Sequence, residues 1–198
     1  MSPKNPDATP QRRRGQALED ALLDAAWDEM SERGYDEFTF DAVAARADTS
    51  RAVLYRRWPS KPELMRAAVI HTAQKDRVSQ PDTGSLREDV ITWLRRANDK
   101  RIRLATVVLT RLGDFYHQSG TNLAELTAEL DVDAFLKLAV QRAVDRGEIP
   151  PQPRSNRIIQ LPAHLFRHEI LTTFKPVPDE VIEEIVDTIY LPMLGVRP

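Results

Sequence analysis

The chain has 198 residues, 41% of them hydrophobic and 29% charged, with a net charge of −2 and no cysteine. That length and balance suit one or two soluble globular domains with a real core. The missing cysteines exclude disulfide frameworks, thiolate zinc sites and cysteine nucleophiles. No apolar run reaches the length that spans a bilayer. Residues 1–16 are polar and carry no secretory hydrophobic region, so a cytoplasmic location is expected.

Total charge does not suggest nucleic acid, but its distribution is uneven. From Gln16 to Asp41 there are nine acids and one base, Arg33; from Arg46 to Arg66 there are six bases and two acids. Such separation polarises the field of a small domain, although two ordinary solvated faces would look the same. Residues 1–15, with three prolines, the run Arg12-Arg13-Arg14 and no periodicity, read as a flexible arm.

The elements follow in chain order. Leu18, Leu22, Ala25, Ala26 and Met30 form one helical stripe ending before Gly34, which predicts helix 1 over 16–33. Thr39 is placed to cap a short helix 2, Phe40–Arg46, with Asp41 in the first turn, where the helix dipole favours an acid. Arg46 complements the dipole at the other end. After the turn Ala47-Asp48-Thr49, Ser50 is expected to cap helix 3, about 51–57, which Pro59 stops. Ser60-Lys61-Pro62-Glu63 is a capping box that opens helix 4, about 61–77.

Ser79–Gly84 is turn-rich and marks the expected boundary between a domain at 16–78 and one at 85–198. A second capping box, Ser85-Leu86-Arg87-Glu88, opens helix 5, whose apolar face runs to Ala97. Helix 6 is expected at 100–117 and helix 7 at 121–147, ending at Gly147. Helix 8 is expected at 154–173 with a kink at Pro162, and helix 9 at 178–194. No segment alternates like a strand, so the fold class is all-α with about nine helices.

The stretch 38–61 carries the chemistry. Two short helices across a tight turn describe a helix-turn-helix, about 39–58. In that motif the second helix enters the major groove and its first side chains reach base edges. Here Ser50 can offer a hydroxyl, Arg51 can grip a guanine edge and Val53 can touch a thymine methyl. Thr39, Tyr55, Arg56 and Lys61 suit phosphate oxygens. Tyr55 could instead simply pack between helices, and Arg56 and Arg57 could be solvated.

Gly34-Tyr35-Asp36-Glu37-Phe38-Thr39-Phe40-Asp41-Ala42-Val43-Ala44, followed by Leu54-Tyr55-Arg56-Arg57-Trp58-Pro59-Ser60-Lys61-Pro62-Glu63-Leu64, resembles the DNA-binding region of TetR-family transcriptional regulators. The spacing from Gly34 through Thr39 to Tyr55 and Lys61 agrees without a gap. The resemblance covers roughly residues 16–65. It implies a three-helix DNA-binding domain, a larger helical domain for ligand binding and dimerisation, and a repressor more often than an activator. Thr39, Tyr55 and Lys61 match phosphate-contact positions; Ser50, Arg51 and Val53 match positions near bases. One departure is Asp48, where glycine is usual. Aspartate tolerates a left-handed backbone better than most residues, but its charge works against a nearby phosphate. Trp58 stands where phenylalanine is commoner.

The resemblance further implies that helices 8 and 9 pair with a second copy in a four-helix bundle. The wide apolar stripes of helix 9 (Val181, Ile182, Ile185, Val186, Ile189) and helix 8 (Ile158, Ile159, Leu161, Leu165, Phe166) fit that, or burial within one subunit. A two-fold homodimer sets its recognition helices about 34–36 Å apart, one DNA turn, and so reads palindromic double-stranded DNA. Trp93, Leu94, Leu109, Phe115, Tyr116, Phe135 and Phe166 are candidates for lining an apolar effector pocket, with plain core as the alternative; Arg111, His117 and His164 are candidate polar anchors.

Two rival classes are weaker. His164 and His168 stand four apart with Glu169 beside them, but the pattern is not His-Glu-x-x-His, and no phosphate loop or nucleophile elbow is present. No catalytic residue, metal site, cofactor or membrane partner is expected. A helical protein-interaction module without DNA affinity is the other alternative.

Overall fold

The computed structural model describes residues 15–76, 78–122, 125–126 and 134–196. The side chains of residues 100–103, 105, 109 and 111 are not among them, so Arg12–Arg14, residues 123–124 and 127–133 of predicted helix 7, and the side chains of Leu109 and Arg111 lie outside the described residues. Among the described residues every regular element is helical. Backbone contacts divide the chain into two compact units, 1–71 and 72–198.

The first unit contains α1 (Gln16–Arg33), α2 (Phe40–Arg46), α3 (Arg51–Tyr55) and most of α4 (Lys61–Lys75). α1 packs on α2, and α2 on α3. The buried side chains here include Leu22, Ala26 and Met30 of α1, Phe40, Val43 and Ala44 of α2, Leu54 of α3, and Leu64, Met65, Ala68 and Val69 of α4. Between elements, Tyr35, Phe38 and Trp58 are also buried. Gly34 ends α1 with φ 85°, donating its N–H to the Met30 carbonyl at 2.8 Å. At the head of α4 both halves of the capping box form: Glu63 N–H donates to Ser60 Oγ at 3.3 Å, and Ser60 N–H to Glu63 Oε2 at 3.2 Å.

The second unit is built on α5, which runs unbroken from Leu86 to Arg111. The expected break near residue 98 is absent. No glycine or proline interrupts that stretch, and Asn98 bonds outward instead: its amide donates to the Val177 carbonyl at 3.0 Å and accepts from the Val177 N–H at 2.9 Å. The chain turns only at Leu112 into a separate α6 (Gly113–Ser119). α7 (Ala134–Asp145) ends at Gly147, as expected, with Glu148 N–H reaching back to the Ala143 carbonyl at 2.9 Å.

Predicted helix 8 is two helices, α8 (Asn156–Ile159) and α9 (Leu161–Thr173), joined at Gln160. Pro162 is therefore not a kink but part of a first turn, where its missing N–H costs nothing. The last helix, α10, runs over 179–193: an α-helical Asp179–Glu184, a π-helical Ile185–Tyr190 and a final Leu191–Met193. Pro192 has no N–H for the Thr188 carbonyl, so the ladder is already one bond short where the backbone widens. α5 packs against α7, α9 and α10. Their shared core includes Leu86, Val90, Leu94, Ala139, Ile170, Ile182 and Tyr190. Two ion-pair clusters pin α10 to α5. Arg87 grips Asp187 with two bonds of 2.7 Å, and Arg95 reaches Asp179 at 3.1 Å and Glu183 at 2.8 Å. One acidic face of α10 is thus spent on its own unit.

Candidate nucleic-acid interface

α2 and α3 have seven and five residues. Isolated helices shorter than about 12–15 residues are marginal in water, so both depend on what holds them. Thr39 does so locally: extended at φ −134°, it accepts the Ala42 N–H on its hydroxyl at 3.2 Å. Asp48 follows α2 with φ 51°, the left-handed conformation the turn requires. Thr49 N–H then returns to the Ala44 carbonyl at 2.9 Å and closes the helix end.

Arg46 does more than complement a dipole. Its guanidinium spans to α1, bonding Glu32 (Oε1 at 3.1 Å) and Glu29 (Oε2 at 3.0 Å). Hydrogen bonding to Glu32, and after it to Glu29, raises its pKa further. Glu29 is 3% exposed and is bridged a second time by Arg33 at 2.9 Å. A buried carboxylate needs such partners. The acid-rich and base-rich segments are thus partly stitched to each other. The signal was an acid on α1 spaced among apolar residues, which sequence periodicity alone reads as solvated.

α3 buries one side chain, Leu54, and leaves Arg51, Ala52, Tyr55 and the following Arg56 exposed, with Val53 half-buried. Ser50 occupies the expected N-cap position, but its hydroxyl makes no capping bond; its carbonyl instead accepts the Val53 N–H at 3.0 Å. The helix also stops at Tyr55 and leaves 56–57 as a turn, because Arg57 and Trp58 N–H groups both fold back to the Leu54 carbonyl at 2.9 Å. Tyr55 is 49% exposed, and its ring stacks flat on Phe40 at 4.1 Å between centroids. One face of that ring is fixed by packing while its edge stays open. Arg51 lies in a two-point pair with Asp41, Nε to Oδ1 at 3.0 Å and Nη1 to Oδ2 at 3.1 Å. Lys61 places its ammonium 4.2 Å over the Tyr35 ring and donates to the Asp36 carbonyl at 3.4 Å.

The structure therefore gathers Thr39, Ser50, Arg51, Val53, Tyr55, Arg56 and Lys61 in one small helical unit, on α2, α3 and the start of α4. The other candidate set divides. Trp93, Leu94, Phe135 and Phe166 belong to the core of the second unit, where Trp93 and Phe135 stack at 5.3 Å. Phe115 and Tyr116 touch edge-to-face on α6 at 5.4 Å, apart from that cluster. The Tyr116 hydroxyl is buried with no hydrogen-bond partner among the described residues, and burial pushes its pKa up to about 12. His117 and His168 are exposed. No group of three or more His, Cys, Asp or Glu that could hold a metal occurs among the described residues, and none of their helices is long and apolar enough to cross a membrane.

Two short helices across a tight turn, the second turning basic and aromatic side chains to solvent, have the form of a helix-turn-helix, and the comparisons agree. Residues 22–68 match the family model of bacterial regulatory proteins of the tetR family, and residues 80–189 match that of the tetracyclin repressor-like C-terminal domain. A helix-turn-helix transcriptional regulator of Bacillus subtilis, YdeS, is 38% identical over 186 residues, covering 88% of this chain and 89% of its own. The DNA-binding transcriptional repressor TetR of Mycobacteroides abscessus is 31% identical over 186 residues, covering 91% of this chain and 96% of its own. Among solved structures, a TetR-family regulator from Mesorhizobium loti matches 93% of this chain and 98% of its own, with a TM-score of 0.65 at 17% identity, a likeness of fold.

The chain belongs to the TetR family. It is a DNA-binding transcriptional regulator, in a family of regulators rather than enzymes.

Proposed function

We propose that the protein is a repressor that binds a palindromic operator as a homodimer and is released by a small, mostly apolar effector. The observation that carries this is α3: five residues, one of them buried, with a basic residue and an aromatic one turned to solvent on a packed scaffold. In this reading Ser50, Arg51 and Val53 meet base edges in the major groove, and the phosphates fall to Thr39, Tyr55, Arg56 and Lys61. The Thr39 hydroxyl accepts from Ala42 and keeps its own proton to donate to a phosphate. Repression is favoured by the name of the Mycobacteroides abscessus relative.

The second copy docks along the last two long helices. α9 and α10, with the residue after α9, leave Leu171, Phe174, Ile189 and Met193 exposed, an unusual concentration of large apolar side chains. Of the expected lining residues Trp93, Leu94, Leu109, Phe115, Tyr116, Phe135 and Phe166, the effector meets Phe115 and Tyr116 on α6, outside the core shared by α5, α7, α9 and α10. The Tyr116 hydroxyl, buried with no hydrogen-bond partner among the described residues, suits one polar atom on an otherwise apolar ligand. Release requires the effector to bind the operator-incompetent state more tightly than the competent one.

Selection of bound sequences from random DNA tests the reading. The expected product is a two-fold symmetric site with half-sites about 34–36 Å apart, bound with an affinity that falls steeply with salt. Sequences without symmetry, or binding indifferent to salt, would refute it. The effector is tested by displacing a fluorescent operator with a library of apolar compounds.

A further inference from the structure

The Asp41–Arg51 pair is a feature of the motif that its scaffold does not need. Both side chains are well exposed, at 68% and 60%, so the pair contributes little to stability. Its geometry is nevertheless specific. Arg51 opens α3, and Asp41 stands in the first turn of α2, across the tight turn. One hydrogen bond, Nη1 to Oδ2 at 3.1 Å, and a second charge contact, Nε to Oδ1 at 3.0 Å, hold the guanidinium in place. A long exposed arginine otherwise samples many rotamers, and ordering it on binding is a cost.

The donor arithmetic leaves room for a second ligand. A guanidinium carries five N–H groups. Asp41 accepts from one, on Nη1, and a guanine edge takes two more through O6 and N7. Asp41 and a guanine can therefore hold Arg51 at the same time. Neutralisation by Asp41 also removes Arg51 from the cations available to phosphates. Its contribution then lies in sequence choice rather than in general affinity.

We propose that Asp41 is a positioning residue for operator readout, holding Arg51 so that its remaining N–H groups face a guanine. This rests on the reading of α3 as the helix that enters the groove. Asp41 touches no base in this scheme; it acts through Arg51.

The test compares the full-length protein with Arg51→Ala, Asp41→Asn and Asp41→Glu by sequence selection and by salt titration of operator binding. Arg51→Ala is expected to lose about 5- to 150-fold discrimination at one base pair per half-site. Asp41→Asn should relax the same base pair and no other. It should also steepen the slope of log affinity against log salt by about one, since a cation is freed for a phosphate. Asp41→Glu keeps the carboxylate and should keep the wild-type slope. Melting temperatures check that each variant is folded. If Arg51→Ala changes one base pair and Asp41→Asn leaves it untouched, or sharpens it, the positioning role is overturned while the groove reading stands. If Arg51→Ala leaves sequence choice intact, the groove reading of Arg51 fails and takes the proposal with it.

Discussion

The two units use polar side chains differently. In the first, Arg51, Tyr55 and Arg56 stay open to solvent, Thr39 and Ser60 close helix ends locally, and Arg46 ties α2 to Glu29 and Glu32 of α1. In the second, polar groups join segments far apart in the chain. Asn98 meets Val177, Arg87 meets Asp187, and Arg95 meets Asp179 and Glu183. The difference teaches where each unit's stability resides. The first presents chemistry on local caps and a small core. The second closes a large apolar core and locks it with distant pins. Substitutions should accordingly divide, those in the first unit moving DNA binding and those in the second moving stability.

The largest expected effect is on the core of the second unit. Phe135 is 2% exposed and stacked on Trp93, so Phe135→Ala should cost about 3–5 kcal/mol, read from denaturant unfolding. Asn98→Ala leaves both polar groups of Val177 without their partner and should cost about 1–3 kcal/mol in the same assay. A cost near zero would mean that water replaces the amide and that the pin is dispensable. Thr39→Ala removes a cap and, in the proposed reading, a phosphate contact. It should lower stability by about 1 kcal/mol and weaken operator binding evenly across sequences. Lys61→Ala is expected to leave sequence preference alone and to reduce the salt slope by about one, which blurs the contrast between units if melting falls sharply as well. The smallest effect is Asp48→Gly. Glycine relieves the left-handed backbone at φ 51°, offset by a more flexible unfolded chain, for a net gain of about 1 kcal/mol or less. Loss of an acid beside the operator should tighten binding modestly.

The first unit was legible because its signals are local. Gly34, Thr39, Ser50 and the Ser60–Glu63 box each mark an element end within four residues, and the helix bounds at 16–33 and 40–46 follow directly. The tertiary partners of charged side chains were not legible there. Asp41 reads as a dipole acid and Arg46 as a helix-end base until α1 and α3 are brought alongside. In the second unit the local signals misled twice. The break expected between Ala97 and residue 100 does not occur, Asn98 instead pinning residue 177, and Pro162 resembles a kink but begins a helix after Gln160.

By itself, then, the sequence determined the all-helical class, the two short helices of the motif with the Thr39 cap on the first, and the family, because periodicity, caps and turn residues act over a few positions. Only the tertiary structure decided which charges pair, where α5 stops and which face of α10 is spent on its own unit. Those outcomes depend on side chains as many as 100 residues apart, and a distance along the chain carries no record of which groups the packed core will bring within hydrogen-bonding reach.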